Sequence, residues 1–125
     1  GVRNLIWVWT AQDYNGDPAS YGSDAAYYPG DDRVDIVGRD LYGKGADANL
    51  TEFISAQTAY PNKMIALSEN GKDGGTEYGL MSEVWSAGAL WSWFMPWYGS
   101  NMPGTSWWQD ALNCENVITR DQVDL

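Results

Sequence analysis

Four short apolar segments recur along the chain at intervals of about 30 residues. They are Asn4–Thr10, Arg33–Asp40, Lys63–Glu69 and Leu90–Trp97. Each is nearly continuously apolar, rich in Val, Ile, Leu or Trp, and bounded by Gly, Pro, Asn or Asp. Strands that are covered on both faces, as in parallel sheets, have sequences of this kind. The interval matches the length of a βα unit, in which a strand is followed by a crossover helix.

The segments between these strands fit crossover helices to different degrees. Apolar residues at helical spacing predict helices over Asp47–Tyr60, with Asp47 or Asn49 as the N-cap, and over Thr76–Ala87. A shorter helix is predicted at Thr105–Asn113. The first interval is rich in Gly, Asp, Pro and Tyr, which predicts a long loop with at most a short helix around Ser23–Tyr28.

Alternation of strands and helices predicts an α/β fold with a parallel sheet. A nucleotide-binding doubly wound sheet carries a Gly-rich turn after its first strand, whereas here the sequence AQDYNG follows it. A (β/α)8 barrel needs eight units and typically about 250 residues. Because this chain has four units, we predict a single domain over residues 1–125 that forms half of a barrel.

Charge and composition exclude several classes of function. The net charge of −10 disfavours nucleic acid and anionic membranes as partners. The chain has no His, which removes His-based triads and His–metal sites, and its single cysteine, Cys114, cannot form an internal disulfide. We therefore expect neither a metal nor a cofactor. No signal peptide and no apolar run of the ~18 residues that span a membrane are recognisable.

The aromatic content is unusual, with 8 Trp and 8 Tyr among 125 residues. Such residues either fill a core or line a groove, where their flat apolar faces match the C–H faces of sugar rings. We assign the four Trp residues within the predicted strands to packing. They are Trp7, Trp9, Trp91 and Trp93.

Functional side chains of a β/α barrel lie at the carboxyl ends of its strands. Here those positions are Thr10 and Gln12, Asp40 and Tyr42, Glu69 and Asn70, and Trp97 and Tyr98. Paired carboxylates among aromatic residues point to glycoside hydrolysis, which needs one carboxylate as nucleophile or base and a second as acid. Glu69 is the best single candidate, and Tyr42 is placed to donate a hydrogen bond to it. The structural alternative is that Asp40 or Glu69 pairs with Arg39.

Several of these segments together resemble glycoside hydrolase family 26. They are Asn4–Trp9 (NLIWVW), Tyr28–Asp32 (YPGDD) continuing into Val34–Tyr42 (VDIVGRDLY), Lys63–Gly71 (KMIALSENG) and Trp91–Tyr98 (WSWFMPWY). Most members of that family are endo-β-1,4-mannanases built as (β/α)8 barrels. The resemblance covers nearly the whole chain and implies that the four strands are the fifth to eighth of the barrel, its second half.

The resemblance also implies roles for individual residues. Glu69 matches the catalytic nucleophile, Asp40 and Tyr42 match an Asp-x-Tyr motif that contacts substrate and nucleophile, and Trp97 matches an aromatic residue that supports a sugar, with Tyr98 beside it. The acid/base glutamate of the family lies on the fourth strand, outside this chain. The implied partners are a β-mannan polysaccharide and the N-terminal half of the same barrel, and the implied location is secreted or periplasmic.

Other functions stay open at this point. A related glycosidase acting on xylan or mixed-linkage β-glucan would use the same kind of site, with paired carboxylates and aromatic residues. A non-catalytic carbohydrate-binding or structural fragment is the third possibility, although sugar-binding modules are usually β-sandwiches with alternating polar and apolar strand residues.

Overall fold

Four parallel strands form one sheet in the computed structural model, which describes residues 4–12 and 24–123. The strands are β1 (Val8–Gln12), β2 (Ile36–Tyr42), β3 (Met64–Gly71) and β4 (Phe94–Pro96), and they neighbour one another in sequence order. The predicted α/β class and the parallel arrangement of successive βα units are therefore confirmed.

Three α-helices follow the strands in the described part of the chain. They are α1 (Ala46–Ala59), α2 (Met81–Ala87) and α3 (Thr105–Asn113). Short 3-10 helices occupy Asp24–Tyr27, Gly99–Asn101 and Arg120–Gln122. No helix among the described residues has the length and apolar character needed to cross a membrane.

One face of the sheet is covered by the helices and holds the core. Val37 and Leu41 of β2 and Leu67 of β3 are completely buried there, together with residues of all three helices. Trp107 of α3 is buried in the same layer, and its indole N–H donates to the carbonyl of Gly79 at 2.9 Å. We call this side the helix face and the other side the open face.

The open face carries several exposed apolar side chains. Strand side chains alternate between the two faces, so residues in step with Thr10 and Gly38 point away from the helices. Val8, Met64 and Met95 are on this side, and they are 40%, 53% and 50% exposed. An uncovered apolar sheet face is typical of a surface that another layer covers.

Asn49 is an internal residue of α1 and not its N-cap, contrary to the prediction. The N-cap is Gly45, which makes no side-chain cap bond. The fully buried Asn49 amide donates to the carbonyls of Lys44 and Gly45, and its oxygen accepts from Tyr78 and from the Trp91 indole. A buried amide with all of these partners joins the start of α1 to the segments before α2 and β4.

Three of the four tryptophans assigned to packing are buried or half-buried. Trp91 meets Phe53 edge-on at 5.1 Å between ring centroids, and Trp9 packs against the core next to Tyr28. Trp93 is half-buried. The assignment is wrong for Trp7, which immediately precedes β1 and is 61% exposed.

Candidate active site

Asp40, Tyr42 and Glu69 come together at the carboxyl edge of the sheet. Asp40 of β2 lies opposite Glu69 of β3 in the strand register, and the Tyr42 hydroxyl donates to Glu69 Oε2 at 2.8 Å. All three side chains are partly buried on the open face. Three of the residues predicted from the carboxyl ends of the strands are therefore neighbours in space.

Arg39 lies on the helix face, one residue out of step with Asp40. Its guanidinium is almost buried, and Nε is 4.0 Å from Oε2 of Glu52 on α1. Glu52 therefore supplies an ion pair to Arg39 from the helix layer, and the strand-end carboxylates are directed to the other side of the sheet.

The Asp40 carboxyl is held in an unfavourable place for a charge. Burial, and then repulsion by Glu69, raise its pKa to about 6, while hydrogen bonding to Ser68 and the charge of Arg39 act in the opposite direction. Its Oδ1 atom is buried with no hydrogen-bond partner among the described residues. A carboxyl oxygen in this state is free to bind a polar group of a ligand.

The Tyr42 hydroxyl stays protonated. Burial raises its pKa above the ordinary value for tyrosine, and the hydrogen bond to Glu69 raises it further. The phenol is therefore a permanent donor to Glu69, and a donor of this kind favours the ionised carboxylate and fixes its direction.

We expect Asp40→Asn to raise the thermal stability of the intact protein near pH 7. The pKa of Asp40 in the folded protein, about 6, lies above the ordinary value of 3.8, so ionisation of Asp40 costs free energy in the folded state. This cost is absent at pH values below the pKa of Asp40 in the unfolded chain. It appears as the pH rises through the pKa of Asp40 in the folded protein. The melting temperature of Asp40→Asn should exceed that of the native protein at pH 7–8 and match it near pH 4. Glu83→Gln, at an exposed position on α2, controls for the loss of one negative charge; an equal gain there would contradict the assignment.

Two aromatic residues extend the site along the same edge. Trp97 directly follows β4, and its backbone N–H donates to the Asn70 carbonyl at 2.7 Å, which fixes it beside the end of β3. The rings of Trp97 and Tyr98 are 5.0 Å apart and tilted by 33°. Trp97 is half-buried and Tyr98 is 72% exposed, so the pair offers aromatic surface to solvent beside the carboxylates.

The loops that follow β2, β3 and β4 are joined by backbone bonds. Gly43 N–H donates to the Gly71 carbonyl at 2.8 Å, and Lys72 N–H donates to the Asn101 carbonyl at 2.8 Å. The Asn101 amide returns a bond to the Lys72 carbonyl at 2.8 Å. Gly71 has no space for a side chain, because a Cβ would lie 2.4 Å from the Asn101 oxygen. These contacts hold the rim of the site in one arrangement.

Ser68 belongs to the site although it was not among the predicted strand-end residues. Thr10 Oγ1 donates to Ser68 Oγ at 3.0 Å, which connects β1 to β3 under the carboxylates. The available signal was a polar residue inside an otherwise apolar strand, immediately before the candidate nucleophile. Among the other strand-end candidates, Gln12 ends β1 in register with Asp40, and Asn70 is fully buried on β3.

The fold and the site together define a parallel α/β protein with paired carboxylates and aromatic residues at the carboxyl edge of its sheet, the arrangement that glycosidases use. The chain belongs to glycosyl hydrolase family 26, whose family model matches residues 1–121. The predicted family membership is confirmed.

Relatives of known name agree with this assignment. The chain is 32% identical over 124 residues to a mannan endo-1,4-beta-mannosidase of Thermothelomyces thermophilus, covering 98% of this chain and 22% of that protein. It superposes with a TM-score of 0.88 and 48% identity on the family 26 domain of an endo-β-mannanase/endo-β-glucanase from Prevotella bryantii, covering 98% of this chain and 36% of the other.

A third relative was solved with a sugar bound. It is a β-mannanase from a symbiotic protist of the termite Reticulitermes speratus, complexed with gluco-manno-oligosaccharide, at a TM-score of 0.67 and 34% identity over 95% of this chain. The chain spans 35% of that structure, so in each case it matches only part of the relative.

Proposed function

We propose that this chain is part of a retaining endo-β-1,4-mannanase in which Glu69 is the nucleophile. The observation that carries the proposal is the Tyr42–Glu69 hydrogen bond of 2.8 Å, made at the carboxyl edge with Asp40 in register beside it. We propose mannan, glucomannan or galactomannan as substrates. In support, the relatives are named as mannanases or mannosidases, and one was solved with a gluco-manno-oligosaccharide.

The reaction has two steps. In the first, the Glu69 carboxylate attacks the anomeric carbon, the glycosidic bond breaks, and an acid protonates the departing oxygen, leaving a covalent glycosyl-enzyme. In the second, the same acid residue, now a base, takes a proton from water, and the water oxygen displaces Glu69 at the anomeric carbon. Two inversions return the original configuration.

The neighbours of Glu69 prepare it for the first step. Tyr42 donates to Oε2, which leaves the other carboxylate oxygen to attack and keeps the group ionised. Asp40 has a buried oxygen without a hydrogen-bond partner among the described residues. We propose that this oxygen accepts a hydrogen bond from a sugar hydroxyl. Trp97 and Tyr98 supply the face on which a sugar ring stacks.

The acid/base residue comes from outside these 125 residues. The chain covers about a third of each structure named above, which supports a domain completed by further strands. We propose that the parallel sheet closes with them into a (β/α)8 barrel, of which residues 1–125 form the second half. We also propose that the protein is secreted or periplasmic, where polysaccharide is found.

The intact protein tests this function on a panel of polymers. We expect hydrolysis of glucomannan and galactomannan, with new reducing ends in the β configuration when the product is followed by NMR before mutarotation. Preferred hydrolysis of xylan or mixed-linkage β-glucan would replace the substrate assignment. An α product would overturn the retaining mechanism, and binding to every polymer without hydrolysis would favour the non-catalytic alternative.

Trp97→Ala should raise KM for manno-oligosaccharides about 3–10-fold while the melting temperature changes little. The half-buried ring lies at the rim, so its loss removes aromatic stacking of the kind that contributes ~0.5–1.5 kcal/mol. Steady-state kinetics and thermal unfolding measure the two effects. Trp85→Ala on α2, a partly exposed tryptophan of the helix layer, is the control and should leave KM unchanged. A large fall in stability with unchanged KM would assign Trp97 to the core.

A further inference from the structure

We propose that Ser68 is a positioning residue for the Asp40–Glu69 pair, acting through a β-bulge that is held by the hydroxyl of Thr10. The proposal rests on the function proposed above and adds a residue to its site. In this proposal Ser68 does not contact the reacting atoms, but it determines the position of the Glu69 carboxylate.

The bulge is visible in the strand register. Arg39 of β2 pairs with Leu67 of β3, but the next residue, Asp40, pairs with Glu69. Ser68 is therefore the additional residue of β3. An additional residue bends the strand and changes the direction of the residues after it.

The bulge turns Glu69 to the open face. Leu67 is buried in the core on the helix face, so strict alternation would place Ser68 on the open face and Glu69 back among the helices. Instead Glu69 accepts the hydrogen bond from Tyr42, which is in step with Gly38 on the open face. Ser68 and Glu69 thus share one face, and without the extra residue the carboxylate would be buried on the wrong side of the sheet.

The Ser68 hydroxyl connects three strands at this point. It accepts from Thr10 of β1 at 3.0 Å and donates to the Arg39 carbonyl of β2 at 3.3 Å. Its single proton can also turn toward Asp40, where it lowers the pKa of that carboxyl. The hydroxyl therefore acts on both carboxylates: on Glu69 through the backbone, and on Asp40 directly.

The absence of a side chain at Gly38 leaves room for the hydroxyls of Ser68 and Thr10. A Cβ at position 38 would lie 2.0 Å from Ser68 Oγ and 2.8 Å from Thr10 Oγ1. No side chain fits there while the two hydroxyls are in place. The absence of a side chain on β2 and the two hydroxyls on β1 and β3 are parts of one packing arrangement beneath the site.

The test uses Ser68→Ala in the intact protein, with Ser92→Ala as the matched control. The Ser92 hydroxyl donates to the Ile65 carbonyl at 2.7 Å, so it also bonds to the backbone of this sheet, but near the amino end of β3. We expect Ser68→Ala to lower kcat on the order of 10–100-fold with little change in KM, because small displacements of a reacting group have effects of that size. Ser92→Ala should change only the melting temperature.

Two further readouts separate positioning from stability. Thr10→Val removes the donor and keeps the shape, whereas Thr10→Ser keeps the donor; we expect a loss of kcat in the first and recovery in the second. The carboxyl titration of Asp40, followed by NMR with labelled aspartate, should move to higher pH in Ser68→Ala and stay in place in Ser92→Ala. Equal behaviour of Ser68→Ala and Ser92→Ala in both kcat and titration would overturn the proposal.

The titration also keeps this proposal apart from the function on which it rests. If the native protein hydrolyses none of the polymers, the proposed function fails, and the Asp40 titration still decides whether Ser68 acts on the site. If the native protein is active and neither kcat nor the titration responds to Ser68→Ala, the positioning role fails and the function stands.

Discussion

Glu69→Ala in the intact protein should lower kcat on mannan by roughly 10⁴–10⁶-fold, the range seen when a catalytic nucleophile is removed. The side chain lies at the carboxyl edge with Tyr42 donating to one of its oxygens, and in the proposed mechanism the other oxygen attacks the anomeric carbon. Glu77→Ala is a suitable control. Glu77 is a second glutamate between β3 and α2, where it bonds to Gly104 N–H and Lys72, and its loss should change kcat only a few-fold.

A covalent label identifies the nucleophile independently of kinetics. An activated fluoro-sugar forms the glycosyl-enzyme quickly because its leaving group is good, and releases it slowly because fluorine disfavours the positively charged transition state. Mass spectrometry of the peptides should find the sugar on Glu69. A label on Asp40 would reverse the roles assigned to the two carboxylates, and Glu69 would then be the orienting group.

Small anions give a third observation on the same variant. Glu69→Ala leaves a space where the carboxylate stood, and azide can attack the anomeric carbon from there when the leaving group needs no acid. We expect azide to restore turnover of an aryl β-mannoside and to yield an α-glycosyl azide. Recovery with a β product would place the nucleophile elsewhere.

The sequence predicted the strands well because their apolar character follows from burial between two layers. Their limits were less predictable. The run beginning at Asn4 is apolar, yet β1 starts at Val8, since the Trp7 carbonyl is shared by the N–H groups of Asp35 and Ile36 in an irregular pair before the regular register begins. Hydrophobicity reports burial, whereas a strand boundary depends on which backbone groups find partners.

The start of helix α2 was also not predictable from local sequence. The apolar spacing predicted a start at Thr76, but the helix begins at Met81. Thr76 is bonded to Asp73 in a turn, and Gly79 N–H donates to the Lys44 carbonyl from the loop before α1. That last contact is between residues far apart in sequence, and no local pattern contains it.

The candidate site was predictable in its members and not in its geometry. Asp40, Tyr42 and Glu69 each lie at the carboxyl end of an apolar run, which is a local signal. The bulge at Ser68 is a property of the pairing between β2 and β3, and pairing register is set by two strands jointly. The sequence therefore named the carboxylates without showing that an extra residue is needed to bring Glu69 to the same face as Asp40.

The 125 residues alone should show no measurable mannanase activity. The acid that protonates the leaving group is supplied from outside them in the proposed mechanism, and Asp40 is assigned to the substrate. The described sheet also ends at β1 and β4, each with one side unpaired within it. Unpaired strand edges and an exposed apolar face favour association with other chains.

The surface beside β4 adds to this expectation. An apolar groove of about 490 Å³ is lined by residues of α2, α3, the segment before β4 and the C-terminal segment, including Trp85, Trp93 and Trp108. An exposed apolar groove of this kind is a surface that favours association with other chains. The isolated chain should therefore form oligomers or aggregates, as measured by light scattering after size-exclusion chromatography.

Mixing decides whether the missing activity reflects an incomplete site or an unfolded chain. Addition of a separately produced segment with the four strands that the proposed barrel still lacks should restore mannan hydrolysis and yield a one-to-one complex. The same mixture made with Glu69→Ala should form the complex and remain inactive, because association depends on the edges and the groove whereas hydrolysis depends on the nucleophile. Hydrolysis of mannan by a monodisperse monomer of the 125 residues would show that Asp40 and Glu69 suffice as acid and nucleophile. In that case the roles assigned to both carboxylates, and the need for the rest of the barrel, would be wrong.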